Sequence, residues 1–354
     1  MAVLANLQAD VHYHQILSMA LEDRSSSYED LVSNNNAMLA VLRRKGLWRT
    51  YSGPRIRQTL QINKQDAQWY SGYDQLLNPA LDLFNDVFYS PKMVVVPVIL
   101  SMQEILNNEG DAQIIDTLEA YMDAAERSLE DTMDAAIYSN GAAFGGKQLT
   151  GLAAAIPELV ATGTYAGIDR TQANNAIWRT TTWDASALAG TTTPGLPVFT
   201  GSTQVNSTTI RPHLNYIMTK QSRGKQYADL LIMSPEHYAA YDAATVAIQR
   251  INNETSLGKL GFTSIEYIGG GKRAEIVLDG GIGSNMPANT TFGLNTDTLR
   301  IRYNPNRNFD NLFKGQGQMP IDKDAIAQFI GWMGELTMTN PMFNWRFEDS
   351  NPAA

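Results

Sequence analysis

The chain has no cysteine. That excludes disulfides and thiolate metal centres, and it fits a reducing cytoplasm. It also lacks any apolar run near the roughly 18 residues that a membrane-spanning helix needs. The longest candidate, MVVVPVIL at 93–100, is rich in β-branched residues and interrupted by Pro97, so it reads as a buried strand. The opening MAVLANLQAD has neither a basic start nor a sustained apolar core, and no secretion signal is read there. Basic charge is scarce too: 27 Lys and Arg stand against 36 Asp and Glu, a net charge of −9. Such a balance argues against a protein whose main task is gripping phosphate backbones. With 354 residues, 44% hydrophobic and 18% charged, the chain has material for two domains, or one large domain with excursions, and not for wholesale disorder.

Within residues 1–45 there are two short helical patterns. The second places Tyr28, Leu31, Met38, Leu39 and Leu42 on one face and ends in RRKG, with Gly46 as a stop. From 46 to 78 the texture alternates polar and apolar, breaks at Ser52-Gly53-Pro54 and turns at Asn63-Lys64-Gln65-Asp66. A long two-stranded β excursion is expected there. Between Arg43 and Lys64 it carries Arg43, Arg44, Lys45, Arg49, Arg55, Arg57 and Lys64 with no acid. An isolated hairpin is marginal in water, so this arm is expected to lie on something. Residues 80–106 read as extended.

Asp111 to Gly141 has no proline and no internal glycine. Ile115, Leu118, Met122, Ala125, Leu129 and Ala136 mark an apolar helical face. Opposite stand Asp111, Asp116, Glu119, Asp123, Glu126, Glu130, Asp131 and Asp134 with a single Arg127. At 1.5 Å per residue the helix is expected to be roughly 40–45 Å long. The Thr-, Ser- and Gly-rich stretch 180–209 then reads as a long surface loop or weak β structure. Residues 210–285 are expected to give a helix, a strand, a helix and a hairpin, and 290–350 to return to strands.

The sharpest chemical motif is GAAFGGKQ at 141–148, where Gly141, Gly146 and Lys147 keep the spacing of a nucleotide-binding P-loop. Gln148 stands where the hydroxyl that ligates Mg²⁺ belongs, and the glycines follow a helix where a P-loop follows a strand. A glycine-rich helix exit is the better reading, and Asp279 is explained by a turn. His12, His14, His213 and His237 have no evident acidic partners and read as surface or packing residues. No G-x-S-x-G is present. Acid pairs on the long helix read as a solvated or partner-facing stripe. Trp48, Tyr51, Trp69, Tyr70 and Tyr73 in the basic arm suggest base stacking, against which stands the acidic chain as a whole. No catalytic residue, cofactor site or metal site is therefore assigned. Charge complementarity points instead to Arg49, Arg55, Arg57, Lys64, Trp69 and Tyr70 meeting Asp116, Glu119, Asp123, Glu126 and Glu130 of a neighbouring subunit.

The order of these parts resembles the major capsid proteins of tailed bacteriophages, the α+β Hong Kong 97 fold. The resemblance rests on NNNAMLAVLRRKG leading into WRTYSGPRIRQTL, on WYSGYDQL, and on IIDTLEAYMDAAERSLEDTMDAAIYSNG. It continues through KQLTGLAAAI, YAGIDRTQANNAIWR, ADLLIMSPEHYAAYDAATVAIQRI and LNTDTLRIRYNPNRNF. It implies an N-terminal arm (1–45), an extended β-hairpin loop (46–78) and a peripheral domain (79–145) with a spine helix (111–140). An axial domain (146–285) and a second peripheral part (286–354) complete it. It further implies pentamers and hexamers closing into an icosahedral shell around double-stranded DNA, with no catalysis and no membrane. The shell would be assembled in the host cytoplasm, with a portal, a separate scaffolding protein and room for a decoration protein. The lysine–asparagine crosslink of one relative is not carried over to Lys64. In this frame Gly141, Gly145 and Gly146 become a hinge between spine and axial domain. The alternatives are an encapsulin-like compartment shell and a nucleotide hydrolase using the 141–148 loop.

Overall fold

A computed structural model of the chain describes residues 37–61, 67–76, 83–101, 111–159, 163–185, 204–245, 264–281, 284–312 and 325–350. Helix α1 (Ala37–Arg44) buries Met38, Leu39 and Leu42. It stops where expected. Gly46 takes φ +64°, Leu47 N–H donates to the Leu42 carbonyl and Gly46 N–H to that of Arg43, a Schellman-type closure. The basic residues at this stop are engaged: Arg44 forms an ion pair with Glu275 and Lys45 with Asp229 (2.9 Å).

Strand β1 (Trp48–Thr50) follows, then β2 (Ile56–Gln61), β3 (Phe84–Tyr89) and β4 (Lys92–Ser101). Two expectations change here. The partner of β2 is not among residues 67–76. It is β3, in antiparallel register from Ile56↔Tyr89 to Gln61↔Phe84. FNDVFY has the period of two that the ladder needs, and Asp86 meets both Arg57 and Thr59 across it. Residues 67–76 instead hold a turn, with the Ser71 and Asp74 backbones linked and Gly72 at φ +46°. Secondly, β4 is a strand but not a buried one. Val98 is buried, while Met93, Val95 and Ile99 are exposed on the alternate face. Among the described residues one face of β4 is covered, by the long helix α2 (Asp111–Tyr138), whose Ala125, Leu129, Met133 and Ala136 are buried.

Beyond α2 a small hairpin, β5 (Thr164–Tyr165) with β6 (Ile168–Asp169), precedes β7 (Thr181–Asp184), which lies inside the stretch read as loop or weak β. Helix α3 (Ile210–Lys220), β8 (Leu230–Met233), α4 (Pro235–Thr245) and the antiparallel pair β9 (Ser264–Gly269) and β10 (Lys272–Leu278) realise the expected helix–strand–helix–hairpin order. The chain ends with β11 (Thr290–Leu294), β12 (Leu299–Tyr303), β13 (Asp310–Asn311), β14 (Ala325–Met338) and β15 (Trp345–Glu348).

These strands form two main sheets. One has the order β1-β12-β14-β13, with β4 antiparallel to β14 from Ser101↔Ala325 to Lys92↔Gly334. The other has the order β7-β15-β11-β8-β10-β9. Strands β11 and β15 therefore lie within the sheet built from 181–278, so hydrogen bonds cross the boundary expected at 285/286. Strand β8 shows why. LLIM is buried on both faces, Leu230 and Ile232 toward the core under α2, Leu231 and Met233 toward the core under α3 and α4. A central strand of that kind needs a neighbour on each side, and β11 and β10 supply them.

In the same sheet Gly293 pairs with Trp345, and a Cβ on Gly293 would stand 2.1 Å from the indole. Gly293→Ala is expected to destabilise the fold by roughly 1–3 kcal/mol or more. Denaturant unfolding checks this, and an unchanged midpoint would contradict the packing of Trp345 over Gly293.

Candidate assembly interface

The residues expected to meet a neighbouring subunit separate into three groups. Arg49 and Arg55 are exposed, and Arg49 is in register with Arg302 of β12, so like charges stand side by side. Arg57 is instead engaged within its own chain. Its guanidinium lies 2.5 Å from Asp86, and that bond holds the Asp86 carboxyl below the usual range. Trp69 and Tyr70 are exposed, together with Tyr73 and Leu76, which charge reasoning overlooked. Tyr73 stands in the same aromatic cluster of the arm that suggested base stacking. Lys64 lies outside the described residues. Asp116, Glu119, Asp123, Glu126 and Glu130 belong to α2, but their side chains are outside what is described.

The exit from α2 is tightly specified. Gly141 takes φ +74°, and a Cβ there would stand 3.1 Å from Thr150 Cα. Phe144, Gly145 and Gly146 follow at φ +53°, +68° and +80°. For phenylalanine this left-handed conformation is unfavourable, and its side chain is 80% exposed. Two strands hold the far end of the segment. The Lys92 ammonium donates to the Gly146 carbonyl, and Thr150 N–H donates to Glu335 Oε1 at 2.9 Å. Because Lys92 pairs with Gly334, both anchors come from one place on the β4–β14 ladder. Gly151 then packs back on the helix, its hypothetical Cβ only 2.2 Å from the Ile137 carbonyl.

This geometry does not make a phosphate cradle. The segment leaves the C-terminal, electronegative end of a helix, and it presents the Gly146 carbonyl to a lysine. Asp279 is buried and accepts the Tyr138 hydroxyl, with burial raising its pKa to about 6. His213 and His237 pack with their rings 5.5 and 5.3 Å from that of Phe347. His237 Nδ1 is 2.8 Å from Thr291 Oγ1, and burial lowers both histidines to about 4. Among the described residues no three His, Asp or Glu side chains are grouped to hold a metal. His12 and His14 lie outside the described residues.

No family model and no curated protein matches the sequence. Solved structures do. The capsid asymmetric unit of cyanophage A-1(L) is 16% identical, covering 90% of this chain and 93% of that one at a TM-score of 0.59. The capsid of the native GTA particle is 12% identical, covering 89% and 90% at 0.51. The capsid of Myoviridae phage XM1 is 11% identical, covering 87% and 91%, also at 0.51. At such identities the likeness is one of fold. The chain has the α+β phage capsid fold, over about nine-tenths of its length.

The Glu335 carboxyl, raised by burial to about 8 against the opposing effects of Thr150 N–H and Lys92, yields a pH prediction. Between the ordinary 4.5 and about 8, the folded chain keeps a proton that the unfolded chain has lost. Stability from this group is therefore full below 4.5 and lost as pH rises toward 8, by up to roughly 5 kcal/mol. The two histidines act in the opposite sense. Their contribution is present above the ordinary 6.5 and lost as pH falls toward 4. Glu335→Gln keeps an acceptor for Thr150 and should flatten the alkaline decline while leaving the acid one. Thermal melts between pH 4 and 9 test this, and an unchanged alkaline slope would contradict it.

Proposed function

We propose that this chain is the structural subunit of an icosahedral phage capsid, assembling as pentamers and hexamers around double-stranded DNA and performing no catalysis. The observation that carries this reading is the capsid fold spanning about nine-tenths of the chain. The exposed aromatic residues of β3, Phe84 and Phe88, and those of the 67–76 segment support it, because an isolated subunit leaves them in water. A separate scaffolding protein and a portal are the partners such a shell calls for, with a decoration protein as an optional addition. The division into arm, extended loop, peripheral and axial parts belongs to the same reading. So does a hinge at Gly141, Gly145 and Gly146, supported by three left-handed glycines in one short exit.

In this shell the basic side of the arm, Arg49, Arg55 and Lys64, lies toward the acidic stripe Asp116, Glu119, Asp123, Glu126 and Glu130 of a neighbour. Arg57 instead fixes the hairpin through Asp86. Opposite charges at such a contact register subunits and speed association more than they add affinity.

Electron microscopy of the purified protein, with a scaffold present, should show closed shells or capsomers, and nucleic acid inside native particles separates a genome shell from a cargo compartment. A stable monomer under those conditions would overturn the reading. Arg55→Glu should slow or abolish assembly with the monomer fold unchanged by circular dichroism. Arg57→Glu should additionally loosen the hairpin, seen as faster amide exchange in β2 and β3. Normal assembly kinetics for Arg55→Glu would refute the charge contact.

A further inference from the structure

Val94 pairs with Trp332 across the β4–β14 ladder, so both side chains stand on the face that α2 covers. With Met133 and Ala136 of α2 and Phe144 and Leu149 of the exit segment, they line a cavity of about 250 Å³. Gly334 gives the indole its room: a Cβ there would stand 2.6 Å from Trp332 Cζ2. The wall is therefore apolar, and the Met133 thioether lets it adapt to the shape of what it holds.

The charge at this cavity has one sign. Its charged residues are Lys92 and Lys147, and no lining residue is acidic, in a chain whose net charge is −9. The Lys92 ammonium donates to the carbonyl of Gly146, the residue before Lys147, so both lysines reach the cavity from its exit end. Among the described residues neither has a carboxylate within ion-pair distance. Glu335 does feel the Lys92 charge, but with its pKa at about 8 it is largely protonated near neutral pH and leaves that charge uncompensated. Trp332 adds a donor. It is 2% exposed, and its indole N–H has no acceptor among the described residues. A buried donor without an acceptor costs free energy, and a ligand oxygen would remove that cost.

An apolar wall with cations at one end selects a small amphipathic anion, its hydrocarbon on the wall and its charge at the ammonium groups. The volume lies just under the usual range of ligand pockets, which sets the size at about ten non-hydrogen atoms. We infer that this cavity binds a medium-chain aliphatic carboxylate, with its chain against Val94, Met133 and Trp332 and its carboxylate at Lys92 and Lys147. The site lies within one chain, so it does not depend on the shell reading. Lys92 belongs to the ladder and Lys147 to the exit of α2, and the bound carboxylate joins the two.

Octanoate, octanol and octylamine share a chain and differ in the head group, so together they separate charge selection from apolar burial. Titration calorimetry of the full chain should show saturable octanoate binding at a single site, with octanol at least about tenfold weaker and octylamine weaker still. Absence of octanoate binding, or octanol bound equally well, would overturn the proposal. Lys147 is exposed. Lys147→Glu should therefore leave circular dichroism and the melt unchanged while weakening octanoate at least about tenfold. Unchanged affinity in that variant would place the ligand elsewhere and overturn the site. Amine labelling of the wild-type chain needs no variant. Saturating octanoate should protect Lys147 several-fold and leave the exposed Lys220 as reactive as before. Equal labelling of Lys147 with and without octanoate would overturn the assignment.

Discussion

The ladder between Lys92–Ser101 and Ala325–Gly334 is the constraint on which the other parts depend. It joins segments more than two hundred residues apart, so its formation commits most of the chain to one topology. One face supports α2 through Val94, Val96 and Val98. At its end Lys92 and Glu335 hold the exit of that helix. Strand β14 continues past β4 to pair with β12, which in turn carries β1 at the root of the arm. A helix of 28 residues, roughly 42 Å at the usual rise, gains little from its own propensity and needs such a platform.

The elements read correctly from sequence are those whose cause is local. The stop at RRKG depends on neighbouring residues and a glycine able to reach φ +64°. The long helix follows from an uninterrupted period near 3.6, and the β9–β10 hairpin from alternation around three glycines. What escaped was set at a distance. The alternation at 46–78 could not reveal that β2 would choose Phe84–Tyr89, because Val87 and Tyr89, the residues buried with Ile56, lie beyond it in sequence. The run MVVVPVIL gives the strand but not its coverage, since a period of two leaves open how many faces find a partner. Strands β11 and β15 belong to the six-stranded sheet because β8 is apolar on both faces, which only the assembled sheet makes evident.

The same distinction governs the candidate interface. Counting charge from Arg43 to Lys64 suggested a uniformly basic arm. The folded chain spends Arg44 on Glu275, Lys45 on Asp229 and Arg57 on Asp86, leaving Arg49 and Arg55 outward. Burial of Glu335 was not legible either: a glutamate in an apolar strand gives no sign of whether it will face water or a backbone N–H. With its carboxyl raised to about 8, it sits in the ladder as a largely neutral acid near neutral pH, and so escapes most of the cost of a buried charge.

The exit segment links these observations. Its left-handed residues, Gly141, Phe144, Gly145 and Gly146, occupy conformations that the following contacts must maintain. Lys92 and Glu335 supply those contacts from the ladder, while the exit itself forms one wall of the apolar cavity. Of the four, Phe144 has the least favourable backbone, so the exit keeps its shape only while the ladder that supplies its anchors is formed.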